Sequence, residues 1–361
     1  MGKVGVPARN EFEKTEEVRA VFRRFSDKPL IRPEDVKPFD DRFEVVGVFN
    51  PGVTEVNGEI LLLLRVAVRP KQDDHFLRVP VLRDGKIEIL QLDRSELDCS
   101  DERVAVEKGK RFLTSMSYFQ VATSADGIHF TMEEGRTILP QDELEEYGIE
   151  DPRIIFLEGK YYILYSAISE YGICVKGLVT KDFYQYESLG AILHPDNKDA
   201  VFFPERVGGK YFMLHRPSTS EFGKPEIWIA DSEDLVHWGN HRHVAGIRPG
   251  GWDGLRVGSS GVPIRTEKGW LVVYHGADVL NAYSLGAMLL DGEQPWKVLG
   301  RTKEPFIRPE LDCERKGFFN NVVFACGGVV RGDELLIYYG AADKYVCGGE
   351  IKIQSVMECL Q

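Results

Sequence analysis

The chain is poor in the features that announce several common classes of protein. Of its 361 residues only six are cysteine, and none stand in a CxxC pair. Cys99, Cys174, Cys313, Cys326, Cys347 and Cys359 are scattered, without the Cys/His spacing of a zinc site. A chain of this length needs no disulfide staples, so buried free thiols are expected. Basic residues are in deficit: 45 Lys and Arg against 57 Asp and Glu give a formal charge of −12. That excludes an outer surface built for nucleic acid or an anionic membrane. No apolar run nears the roughly 18 residues of a membrane span; the densest, Ile60 to Leu64, is five long. The N-terminus lacks the apolar stretch of a secretory signal, and no Asn-x-Ser/Thr sequon occurs. A soluble, cytoplasmic protein is expected. The Gly-rich stretch GWDGLRVGSSG has neither the strand-to-helix context nor the lysine of a nucleotide loop. No metal and no cofactor is called for.

Helical periodicity is scarce too. It is confined to the N-terminus, where Val18, Val21, Phe22 and Phe25 fall at helical spacing behind Asn10 as a cap. A short helical arm over residues 1–25 is expected. The remainder, residues 26–361, repeats one pattern five times: a short apolar strand, a turn with glycine, then a strand rich in aromatic and aliphatic residues. The turns fall at Gly58, Gly159, Gly209, Gly269 and Gly332. Each reads as a β-hairpin. A weaker second half follows most of them, with an apolar strand, an acidic turn and an aromatic: FQVATSADGIHF, ICVKGLVTKDFYQY, EIWIADSEDLVHW and SLGAMLLDGEQPWKVL. The last copy closes on EIKIQSVMECL, read as a C-terminal strand. Four strands per unit and five units describe an all-β, five-bladed β-propeller. Turn spacings of 101, 50, 60 and 63 residues fit, provided the first interval carries an insertion. That insertion, near residues 70 to 115, is expected to overhang one end of the channel.

Polar residues at the ends of core strands converge on one mouth of a propeller. After the second strand of a hairpin stand Arg65, His215 with Arg216, His275 and Asp343. Before the strands stand Asn50, Asp151 with Arg153, Lys198 with Asp199, and Arg256. Converging like charges need an anionic partner. A glycosidase needs a second carboxylate across the sugar. A phosphorolytic enzyme needs only an acid, because phosphate itself attacks, together with cations to hold that phosphate. Cations outnumber carboxylates at these positions, and arginine's planar fork matches phosphate. Phosphate as nucleophile is therefore favoured.

At these residues the sequence resembles glycoside hydrolase family 130, five-bladed propellers comprising inverting β-mannoside phosphorylases and a few β-1,2-mannosidases. The matching segments are FNPGV, EDPRI, KDAVFFPERVGGKYFMLHRP, LRVGSSGVPI, WLVVYHGAD, YSLGAMLLD and NNVVFACGG. The resemblance implies Asp151 as general acid, passing its proton through the 3-hydroxyl of the bound mannosyl unit to the glycosidic oxygen. It implies phosphate binding by Arg65, Arg153, His215, Arg216, Arg256 and His275. It offers Asn50, Lys198, Asp199, Tyr283 and Asp343 to the sugar. Family hydrolases carry glutamates where phosphorylases carry basic groups, and no such replacement occurs at Arg65, Arg216 or Arg256. The insertion and FNPGV stand closer to members acting on β-1,2-linked mannose than to the β-1,4 type. The expected partners are a β-mannoside oligosaccharide and inorganic phosphate as co-substrate; a homo-oligomer is left open. The competing readings are a β-1,4-mannoside phosphorylase, a β-mannosidase using Glu205 or Glu226 as second carboxylate, and a non-catalytic sugar-binding propeller.

Overall fold

Each of the five glycine turns joins two antiparallel strands, and each of those glycines has positive φ, between 65° and 135°. The turns need that left-handed backbone, which costs glycine nothing. The computed structural model describes residues 21–101, 103–218 and 222–361.

Five four-stranded antiparallel sheets follow one another around a channel. Blade I is built from Phe43–Val56, Glu59–Pro70, Met116–Ser124 and Thr131–Ile138. Blade II takes Ile149–Leu157, Lys160–Ser169, Gly172–Thr180 and Glu187–Leu193. Blade III takes Asn197–Phe202, Tyr211–Pro217, Ile227–Ser232 and Gly239–Ala245. Blade IV begins at Arg256–Ser259, continues through Gly269–Ala277 and Tyr283–Leu290, and ends at Val298–Arg301; Ile264–Thr266 adds a short piece beside its second strand. Blade V has Val323–Arg331, Glu334–Ala341 and Tyr345–Lys352. The first strand of each blade is innermost.

The acidic turns in the second halves have one mechanism. Asp126, Asp182, Asp234 and Asp291 each accept hydrogen bonds from the backbone N–H groups two and three residues on, at 2.8–3.0 Å. The carboxylate stands in for a backbone turn. Between blades the core is aromatic. Phe119 meets Tyr165 at 5.6 Å between blades I and II, Tyr162 meets Phe202 at 6.0 Å between II and III, and Phe203 meets Trp270 at 5.1 Å between III and IV. Phe130 meets Tyr338 at 5.5 Å between blades I and V.

Two expectations are corrected. The fourth strand of blade V does not come from the C-terminus: the third strand stops at Lys352, and Ile353–Glu358 turns into a short helix. The outer strand is Arg23–Arg24, paired antiparallel with Gly349 and Glu350, so the first described residues close the ring. The expected helical arm therefore does not extend to residue 25, and its portion over residues 1–20 lies outside the described residues. Pairing to an open sheet edge outweighs helical spacing, because residues 23–24 find backbone partners there. The insertion folds as two small sheets, Phe76–Arg83 with Lys86–Asp93, and Leu97–Asp101 with Val104–Glu107 and Lys110–Leu113. Among the described residues no helix is long and apolar enough to cross a membrane. Cys174, Cys326 and Cys347 are buried, Cys313 and Cys359 half-buried, all five free; the Cys99 side chain lies outside the described residues.

Candidate active site

Three blades carry the same irregularity in their innermost strand. The strand register slips between Phe49 and Gly52, between Glu150 and Arg153, and between Lys198 and Val201. At each slip one residue has left-handed backbone: Asn50 at φ 47°, Asp151 at 53°, Asp199 at 55°. Asn and Asp are the side-chain-bearing residues that best tolerate this conformation. Each bulge breaks the alternation of the strand and re-aims a polar side chain toward the axis.

The first two bulges meet. Asp151 Oδ1 accepts from Asn50 Nδ2 at 2.9 Å and from Arg65 Nη1 at 2.8 Å. Arg65 also donates through Nη2 to Glu150 Oε1 at 2.6 Å and through Nε to Ser117 Oγ at 3.0 Å, and it lies 4.5 Å from the Phe49 ring centroid. Burial pushes the Asp151 carboxyl pKa up. The charges of Arg65, Lys198 and Arg153 and the Asn50 hydrogen bond outweigh burial and hold it below the usual carboxylate value. Asp343, at φ 51° beside the same arginine, goes the other way. Burial, with the like charges of Asp151 and Glu150, overcomes Arg65 and Arg103 and pushes its pKa up to about 6.

Around these groups lies a cavity of about 400 Å³, within the range of small-ligand sites. Asn50, Arg65, Glu150, Asp151 and Asp343 line one side of it. Lys198, Arg216, Arg256 and Tyr283, from blades III and IV, line another. Arg103 and Val104 of the insertion overhang it, as expected of residues 70 to 115. Arg256 donates to Tyr283 Oη and to Asn281 Oδ1, both at 3.0 Å.

The third bulge supports the cationic side from below. Asp199 is 1% exposed and does not line the cavity. It faces Arg216 Nη1 at 2.7 Å, Arg153 Nη2 at 3.1 Å and His275 Nε2 at 3.2 Å. Burial lowers the His275 pKa to about 4, against the pull of Asp199, so the ring is neutral at pH 7. It donates from Nε2 to Asp199 and accepts at Nδ1 from the Ser260 hydroxyl at 3.1 Å.

The site thus divides the expected residues. Asp151, Arg65, Arg216, Arg256, Asn50, Lys198, Tyr283 and Asp343 reach the cavity, and Arg153, His215, His275 and Asp199 do not. Arg65 is held by two carboxylates and stands on their side, not among the cations. Arg153 falls beyond the bulge and points down, bonded to Asp151 O and Asp199, so it holds the bulge in place. His215 neighbours Arg216 on one strand and so faces the opposite way. Its Nδ1 meets Asn197 Oδ1 at 2.8 Å and its Nε2 meets His241 at 3.0 Å. Glu226 is taken by His243 and the Ile247 N–H, and neither it nor Glu205 lines the cavity. Glu150 was the residue missed. It sits in the EDPR segment one place before the acid, where only the bulge reveals that two consecutive carboxylates face one cavity.

A propeller with an asymmetric polar cavity, an acid on one side and cations on another, is a framework that suits a carbohydrate-active enzyme. The family model described as β-1,4-mannooligosaccharide phosphorylase matches residues 111–361, and the chain belongs to this family, glycoside hydrolase family 130. A β-1,2-mannobiose phosphorylase of Listeria innocua is 46% identical over 94% of this chain and 98% of that protein. A 1,2-β-oligomannan phosphorylase of Thermoanaerobacter sp. is 35% identical over 90% of this chain and 95% of that protein. A solved structure of a β-1,2-mannobiose phosphorylase from Listeria innocua, in complex with β-1,2-mannobiose, superposes with a TM-score of 0.89. It is 45% identical and covers 94% of this chain and 99% of that one.

Proposed function

We propose that the protein is an inverting β-1,2-mannoside phosphorylase, acting on β-1,2-linked mannobiose and mannooligosaccharides. The observation that carries this is the separation of charge in the cavity. Lys198, Arg216 and Arg256 gather on blades III and IV, and the carboxylate that those blades contribute beside Arg216, Asp199, is sealed beneath the cavity. A hydrolase needs a carboxylate there to activate water. Cations without one suit a nucleophile that brings its own charge. In this reading a phosphate oxygen forms the bond to the anomeric carbon while the glycosidic carbon–oxygen bond breaks. The departing oxygen takes the proton that Asp151 supplies through the mannosyl 3-hydroxyl. The products are α-mannose 1-phosphate and a sugar one unit shorter. Arg65 and Asn50 hold the Asp151 carboxylate, Asp343 and Tyr283 serve the sugar hydroxyls, and no metal or cofactor takes part.

The β-1,2 linkage is preferred over the β-1,4 of the family description because both near-full-length relatives act on β-1,2-linked mannose by name. A cytoplasmic location goes with this reading, since a chain of this size needs no disulfide staples.

The test is incubation with β-1,2-mannobiose in the presence and absence of phosphate. α-Mannose 1-phosphate forming only with phosphate is the expected result; mannose released regardless of phosphate overturns the reading. Asp151→Asn lowers kcat on this substrate by about 10²–10⁴, the usual worth of a positioned acid. Full activity in that variant would move the acid elsewhere.

A further inference from the structure

Two thiols that phosphorolysis does not use meet where the ring closes. Cys313 stands on the short helix Asp312–Arg315, in the connection from blade IV to blade V, and Cys347 on the third strand of blade V. They are 34 positions apart in the chain, and their sulfurs are 3.8 Å apart. Their neighbours are the groups that fasten the closing strand. Glu314, next to Cys313, accepts from Arg24 Nε at 2.8 Å and from Tyr339 Oη at 2.7 Å. Tyr339 is the cross-strand partner of Cys347. Helix and strand both border the cavity: the connection runs on through Phe318 and Phe319, and the strand begins just after Asp343, all three of which line it.

The two thiols are unequal. Cys347 is 2% exposed, whereas Cys313 is half-buried and keeps part of its surface open. The contact with Cys347 lowers the Cys313 pKa against its burial; the contact with Cys313, together with burial, raises that of Cys347. The thiolate is the nucleophile, so attack begins at the outer sulfur and the inner one resolves it. Depth sets this pair apart from Cys174 and Cys326, both buried, whose thiols burial pushes up.

We propose that Cys313 and Cys347 form an oxidation site for hydroperoxides, a dithiol that closes to a disulfide and ties the connection between blades IV and V to blade V. The Cys313 thiolate attacks one oxygen of hydrogen peroxide. A sulfur–oxygen bond forms, the oxygen–oxygen bond breaks, and the hydroxide that leaves takes up the proton Cys313 gave up. The Cys347 sulfur then attacks the sulfenic acid. A sulfur–sulfur bond forms, the sulfur–oxygen bond breaks, and the hydroxyl departs with the Cys347 proton as a second water. Two thiols and one peroxide thus give one disulfide and two waters. The sulfurs already touch, so the bond forms without moving helix past strand. In a reducing compartment the pair rests as thiols and closes when peroxide rises. The cross-link restricts the unfolded chain more than the folded one, so the oxidised protein is the more stable form.

The test treats the reduced full-length protein with a slight excess of hydrogen peroxide, followed by non-reducing peptide mapping and thermal melts. A link between the peptides bearing Cys313 and Cys347 is expected, with a melting temperature at least about 3 °C higher. Dithiothreitol is expected to reverse both. Cys347→Ala, which leaves the outer thiol without its resolving partner, is expected to accumulate a sulfenic acid at Cys313 that dimedone traps, with no rise in melting temperature. Peroxide reacting only at other cysteines overturns the proposal, as does a Cys313–Cys347 bond that leaves the melting temperature unchanged. A rise of equal size in Cys347→Ala overturns it too. None of these readouts needs sugar or phosphate, so the outcome is independent of the phosphorolytic reading.

Discussion

Asp151 and Asp343 share the neighbourhood of Arg65 yet are pushed in opposite directions. Asp151 has the direct hydrogen bonds and is held ionised; Asp343 has the burial and the like charges and is pushed up to about 6. An acid held ionised is not yet an acid. In the proposed mechanism, a phosphate held beside Lys198 would oppose one of the charges that keep the Asp151 pKa down, so binding the nucleophile would raise the proton affinity of the acid. Asp343 makes a separate prediction. Its folded-state pKa lies above the ordinary carboxylate value, so the folded protein binds more protons than the unfolded chain between pH about 4 and about 6. Stability from this group is present below that window and lost as pH rises through it. Asp343→Asn, neutral at every pH, is therefore expected to be more stable than wild type at pH 8, by about 1–3 kcal/mol, and no more stable at pH 4. Thermal melts at the two pH values check this; an equal gain at both would assign the effect to packing. On the proposed role of Asp343 toward a sugar hydroxyl, the same variant is expected to lose at least tenfold in kcat/KM, because that hydroxyl would lose its charged acceptor.

Much of the site was legible at the level of strand ends, and the part that was not lies in the bulges. The FNPG, EDPR and KDAV segments announce polar residues beside core strands. Only the slipped register shows that Asp151 turns toward the axis, that Arg153 drops beneath it, and that Glu150 comes along. For His215 and Arg216 the signal was present, since neighbours on a strand face apart. Arg216 and His275 illustrate the difference between lining the cavity and holding what lines it. Arg216 reaches the cavity; His275 fixes Asp199, which fixes Arg216. Gly258, at the start of blade IV, keeps this stack possible. A Cβ there would collide with Asp199 Oδ2 and His275 Nε2. Gly258→Ala is expected to raise the KM for phosphate tenfold or more, to change the KM for mannobiose by less than threefold, and to cost about 1–3 kcal/mol as overpacking. Steady-state kinetics with each substrate varied in turn separates the two effects. A loss shared equally by both would show that Gly258 governs packing only.

At the scale of the whole molecule, five glycine turns at recurring intervals were enough to count the blades, because each blade must bury the same two faces. They could not show how the ring closes. The closing strand is two residues long, Arg23–Arg24, next to apolar residues spaced as in a helix. What secures it is electrostatic. Arg24 donates from Nε to Glu314 Oε1 at 2.8 Å and from Nη2 to Oε2 at 3.0 Å. Glu314 is fully buried and also accepts from Tyr339 Oη at 2.7 Å and from the backbone N–H groups of Glu310 and Leu311. Burial pushes the Glu314 pKa up, and these bonds bring it below the usual value. A depressed carboxylate contributes stability above its ordinary pKa and loses it as pH falls through the lower, folded-state value. Arg24→Ala leaves that carboxylate buried without its cation, a change that costs about 3–5 kcal/mol when a buried pair is broken. It also loosens the seam where the first described strand meets the last blade. The variant is expected to melt at least about 5 °C lower at pH 7, with a smaller deficit in acid, where Glu314 is protonated in both proteins. Arg24→Lys, keeping charge but not the bidentate fork, is expected to recover only part of the loss. Melting at pH 7 and in acid measures both. A deficit that does not shrink in acid would mean that the strand pairing of residues 23–24, and not the ion pair, holds the ring shut.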